Sequence, residues 1–125
     1  MQVRAGAITG IHHVQLAMPR GKEDEGRAFY GDILGLSEVQ KPENLAGRGG
    51  GWFRNGALEL HLGVEDDFRP AKKAHPALLV QDLQTLRARL EDAGFDTAMD
   101  EQIEGYNRFY VTDPFGNRLE FLEAF

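Results

Sequence analysis

Large aliphatics alternate with polar residues over residues 11–18. Val14, Leu16 and Met18 fall on one side and His13, Gln15 and Ala17 on the other, the period of two expected of a half-buried strand. After Pro19 the period changes. Arg27, Ala28, Phe29, Tyr30, Ile33 and Leu34 have helical spacing, and Gly35 supplies a stop, which predicts a helix of about three turns. Residues 36–41 read as a short edge strand. Residues 42–51 read as a loop that Gly47, Gly49, Gly50 and Gly51 make mobile. Residues 52–54 and 57–63 form a hairpin around Asn55–Gly56, in which Leu58, Leu60 and Leu62 share one face and leave Glu59 and His61 on the other.

A polar connector over residues 64–74 follows, and the pattern then restarts. Residues 75–80 alternate, with Pro76, Leu78 and Val80 opposite His75, Ala77 and Leu79. Asp82 caps a helix carrying Leu83, Leu86, Leu90 and Ala93, and Gly94 ends it. A short strand at residues 95–98, a loop at 100–105 and hairpin strands at 108–112 and 117–123 around DPFG complete the second half. Each half reads β-α-β-β-β. The expected fold is α+β: a single domain over residues 1–125, built of repeats at about 10–63 and 74–123. These repeats form a curved mixed sheet with a concave cleft and helices on the outer face.

The repetition extends to chemistry. His75 lies 62 residues after His13, and Glu120 lies 61 after Glu59, so each half carries one imidazole and one carboxylate at matching places. In all four strands the His or Glu faces away from the large aliphatics. Imidazole nitrogen with carboxylate oxygen suits borderline divalent metals, and such a site leaves a position open to water or substrate. His61 shares the face of Glu59 and is a candidate substitute ligand or acid/base group. His12 has the opposite parity and points to the helix side or to solvent. Trp52, Phe53, Phe109 and Tyr110 read as core or cleft wall, and Arg54 and Arg108 as surface residues in preference to binders of an anionic substrate. The glycine-rich loop lacks a following helix, so a lid is expected there and not a phosphate cradle.

Composition narrows the choices. The net charge is −6 and no basic run exceeds Lys72–Lys73, which argues against a nucleic-acid partner. There are no cysteines, so a metal site must be ligated by nitrogen and oxygen and thiol nucleophiles are excluded. No apolar run approaches the roughly 20 residues of a membrane span, and the N-terminal stretch MQVRAGAITG has no signal-peptide core, so a cytoplasmic location is expected. Exposed strand edges in each half and the small size predict a homodimer.

The segments IHHVQLA, AFYGDILGL and above all DPFGNRLEF resemble the vicinal oxygen chelate superfamily, which includes glyoxalase I, bleomycin-resistance proteins, fosfomycin-resistance transferases and extradiol dioxygenases. The resemblance spans roughly residues 11–123. It implies a divalent ion (Zn, Ni, Mn, Fe or Co) held by His13, Glu59, His75 and Glu120, with Glu59 and His61 as catalytic candidates. It also implies a small-molecule substrate chelated through adjacent oxygens and lyase or isomerase chemistry. The element following Glu59 departs from glyoxalase I, where Tyr-Asn stands in place of His61–Leu62–Gly63, which puts glutathione in doubt. Two other functions are consistent with the resemblance: a sequestering antibiotic-resistance protein and a thiol transferase acting on an epoxide antibiotic. An extradiol dioxygenase usually needs two copies of this unit.

Overall fold

The computed structural model describes residues 5–125; the first four residues of the N-terminal stretch read above lie outside the described residues. Each repeat builds its own four-stranded mixed sheet. In the first, β1 (Val14–Met18), β2 (Ser37–Val39), β3 (Gly51–Asn55) and β4 (Leu58–Val64) are ordered β1-β4-β3-β2. In the second, β5 (Ala77–Leu79), β6 (Thr97–Ala98), β7 (Tyr106–Thr112) and β8 (Arg118–Ala124) are ordered β5-β8-β7-β6. In both sheets the first strand pairs parallel with the last and the remaining pairs are antiparallel. The two sheets therefore share one topology.

The helix of the first repeat begins as α1 (Glu23–Gly26) and continues in π-helical form over Arg27–Ile33. Its wider turns leave the Leu34 amide bonded to the Phe29 carbonyl at 2.9 Å, five residues back. Gly26 lets the helix approach the sheet, since a Cβ there would lie 2.7 Å from Leu62 Cδ1. In the second repeat α2 (Leu83–Asp92) starts where the sequence places it. Asp82 accepts from the Thr85 amide at 3.3 Å, while the Glu123 carboxylate of β8 accepts from the Asp82 and Leu83 amides at 2.8 and 3.0 Å.

The helices pack against the aliphatic faces of the sheets, and one continuous core runs through both repeats. Met18, Phe29, Tyr30, Phe53 and Leu60 join Leu83, Leu90, Phe109, Leu119 and Phe121. Phe29 meets Phe95 edge-on, with ring centroids 4.9 Å apart. Truncating one such buried aromatic costs about 3–5 kcal/mol, so the halves support each other.

Polar contacts reinforce the joint. The Tyr30 hydroxyl donates to Asp113 at 2.6 Å, and Asp113 also accepts from the Phe115 and Asn117 amides at 2.9 and 2.8 Å. The Asn117 amide group donates to the Ala17 carbonyl at 2.8 Å and accepts from the Ala71 amide at 3.1 Å. Burial, and then the adjacent Asp113, push the Tyr30 hydroxyl well above the ordinary tyrosine pKa, so it stays a proton donor.

Two local expectations are revised. Residues 42–51 contain a 3₁₀ helix (Glu43–Arg48), and the loop is tied at its base. The Glu23 carboxylate accepts from the Gly50 amide at 2.9 Å and Lys41 donates to the Gly49 carbonyl, so this segment is tethered where a free lid was expected. The fifth strand is also shorter than the alternation suggests, because Pro76 breaks the ladder and His75 precedes it.

Candidate metal centre

The candidate residues lie on the sheet face that parity predicts. Leu16, Met18, Phe53, Leu60 and Leu62 are buried on the helix side of the first sheet, leaving His13, Glu59, His61 and Trp52 on the other. There the His61 imidazole lies between two rings: Trp52 at 4.1 Å and 4° on one side, His13 at 4.1 Å and 17° on the other. His61 is only 3% exposed, and its Nε2 is 3.4 Å from Glu59 Oε2. The other Glu59 oxygen stands 3.7 Å from Arg54. Burial, and then the neighbouring His13, lower the His61 pKa against the opposing pull of Glu59. Its ring is therefore neutral near pH 7 and has a lone pair to offer. His12 is exposed, with its Nδ1 3.0 Å from His13 Nδ1.

The second sheet holds the other pair. His75 Nε2 is 2.9 Å from Glu120 Oε1, and Glu120 is 7% exposed. A carbonyl only accepts, so the Lys73 carbonyl 2.8 Å from His75 Nδ1 fixes the proton on that nitrogen. Nε2 then meets the carboxylate either as a bare lone pair, which is repulsive, or across a cation. That cation is a proton or a metal ion, and the Nδ1–H to carbonyl bond is the outer support that metal-ligating histidines ordinarily have.

Arg108 holds the second Glu120 oxygen at 3.2 Å and also donates to the Tyr110 hydroxyl at 2.6 Å. The sequence reading favoured a surface role over anion binding for Arg108 and Arg54; Arg108 is instead 9% exposed and packs against Glu120. The signal was available, since Arg108 and Tyr110 have the strand parity that faces Glu120 across the β7–β8 hairpin. Arg118, two residues before Glu120, lies over the Tyr110 ring at 3.9 Å and makes no ion pair with Glu120.

All five candidates thus lie in two clusters, His13–His61–Glu59 on the first sheet and His75–Glu120 on the second. Among the described residues no three His, Asp or Glu side chains of one chain converge to hold an ion. Nor is any helix long and apolar enough to cross a membrane.

The fold matches known proteins. The chain belongs to the Glyoxalase/Bleomycin resistance protein/Dioxygenase superfamily, whose model matches residues 10–121. It is 47% identical to a glyoxalase family protein of known structure from Bacillus anthracis, with a TM-score of 0.90 and 100% of each chain covered. A lactoylglutathione lyase from Agrobacterium tumefaciens is 21% identical with a TM-score of 0.70, covering 93% of this chain and 94% of that one. A variant of the fosfomycin resistance protein FosX from Listeria monocytogenes, complexed with Mn(II) and dihydroxypropylphosphonic acid, is 18% identical with a TM-score of 0.73. That match covers 91% of this chain and 89% of the other. No curated protein matches the chain.

Proposed function

We propose that this protein is a cytoplasmic, divalent-metal-dependent enzyme acting on a small substrate with adjacent oxygens, by lyase or isomerase chemistry. The observation that carries the reading is the His75–Glu120 pair, with its Nδ1 proton fixed on a carbonyl and Nε2 turned to a buried carboxylate. A cation is called for between them, and the donors suit a borderline metal. His13 and one donor from β4 complete the set. The FosX variant bound to Mn(II) and the lactoylglutathione lyase, proteins of the same fold, support a metal and a small substrate.

One chain does not bring its two half-sites together, so the assembly we propose is a homodimer in which the β1–β4 half-site of one protomer faces the β5–β8 half-site of its partner. Supporting this, β1 and β5 lie at sheet edges, and Ile8, Ile11 and Leu79 are 87%, 82% and 77% exposed. When bound, the ion supplies Lewis-acid stabilisation of negative charge developing on the substrate oxygens. The chain's own residues do the rest. Glu59, half-buried and within reach of His61, is placed to move a proton, and Trp52 walls the site.

Metal analysis of protein purified without chelator tests the reading, with one divalent ion per chain expected. His13→Ala and His75→Ala should each lower that stoichiometry while the far-UV circular dichroism stays unchanged. Full occupancy in both variants overturns the assignment. Equilibrium sedimentation tests the assembly, and a monomer at micromolar concentration overturns the cross-chain site.

A further inference from the structure

The strand registers identify the structural counterpart of Glu120 in the first repeat, and it is not Glu59. In the parallel pairs, Gln15 lies opposite His61 and Ala77 opposite Glu120. Gln15 and Ala77 each follow their repeat's histidine, His13 or His75, by two residues. Superposing those histidines therefore superposes His61 on Glu120. Across the hairpins this correspondence makes Trp52, opposite His61, the counterpart of Tyr110, opposite Glu120. By the same register Glu59, opposite Arg54, corresponds to Arg118, opposite Thr112.

Burial follows this correspondence. The side chains of His61 and Glu120 are 4% and 9% exposed, whereas that of Glu59 is 24% exposed. Orientation follows it too, because His61 stacks directly on the His13 ring while the Glu59 carboxylate is drawn between His61 and Arg54.

We infer that the donor contributed by β4 to the metal centre is the His61 imidazole, making the set His13, His61, His75 and Glu120, and that Glu59 stands outside it. This rests on the metal reading above. The consequence is chemical: three neutral imidazoles and one carboxylate leave a bound divalent ion with a net charge of +1, where two carboxylates would neutralise it. The ion is then a stronger Lewis acid toward substrate oxygens, and the set favours zinc, cobalt, nickel or iron over magnesium or calcium. Glu59 is left free as a carboxylate that does not have to leave the metal to accept a proton.

The test uses cobalt(II) alone, titrated into the full-length protein against a competing chelator. His61→Gln should weaken cobalt binding by about a hundredfold or more, since changes to the outer partners of a metal ligand already cost about 10–100-fold. Glu59→Gln should stay within about tenfold of the unsubstituted protein. A second measurement needs no variant. Proton spectra of the cobalt(II)-loaded protein should show three exchangeable imidazole N–H signals shifted by the paramagnetic ion, and two such signals overturn the inference. Loss of binding in Glu59→Gln with retention in His61→Gln also overturns it, leaving the metal reading intact. Failure of the unsubstituted protein to bind cobalt overturns both.

Discussion

The two sheets have the same strand order and the same mixed pairing, yet they hold their polar groups by opposite means. In the first, His61 is clasped between aromatic rings and kept neutral by burial and His13. In the second, Glu120 is fixed by a hydrogen bond from the Arg108 guanidinium on one oxygen and a contact with His75 on the other. A neutral imidazole needs packing to orient it, whereas a buried carboxylate needs charge or hydrogen bonds to exist at all. One backbone frame thus supports two chemistries, and the difference lies in which residue sits across the hairpin: Trp52 against His61, Tyr110 against Glu120.

The largest expected effect removes the second half's carboxylate. Glu120→Gln keeps the size of the side chain but takes away its charge, so metal affinity should fall by more than about a hundredfold in a chelator competition. An unchanged affinity would show that Glu120 is not a ligand.

The joint between the halves comes next. Asn117→Ala removes the bonds to the Ala17 carbonyl and the Ala71 amide and one of two bonds to an Asp113 oxygen that Tyr30 also holds, and is expected to cost about 3 kcal/mol in urea unfolding. A single cooperative transition should persist, because the core is continuous across both repeats. Two separated transitions would mean that the halves are independent domains. Tyr30→Phe removes one hydroxyl bond to Asp113 and should cost about 1–3 kcal/mol by the same measurement.

The smallest effect concerns the loop tether, a device of the first half alone. The Gly50 amide holds the Glu23 carboxyl below its usual pKa of 4.5. A carboxyl whose folded pKa is depressed stabilises the fold fully above its unfolded value, and that contribution is lost as pH falls through the folded value. Protection of the Gly50 amide from hydrogen exchange, corrected for intrinsic rate, should therefore decline as pH falls through that lowered value. Glu23→Gln should abolish that pH dependence.

Periodicity and turn chemistry alone carried the element order, the capping role of Asp82, the aliphatic faces and the repeat, because each is set within a few residues by the period of strand or helix. The face occupied by His13, Glu59, His61, His75 and Glu120 was equally legible, since strand parity needs no knowledge of neighbours. Register was not. Aligning LEL with LEF pairs Glu59 with Glu120 across 61 residues, whereas the ladders pair His61 with Glu120 across 59. A slip of two leaves every side chain on its own face, so no hydrophobic pattern can detect it.

The DPFGN motif also divides between sequence and structure. Its turn was readable, but the burial of Asp113 and Asn117 against Tyr30 and Ala17 depends on partners 83 and 100 residues away. The burial of Arg108 against Glu120 was likewise a tertiary outcome, because a guanidinium can leave water only where the fold brings a carboxylate to meet it. The sequence by itself determined which residues face the site; the pairing of strands decided which of them meet.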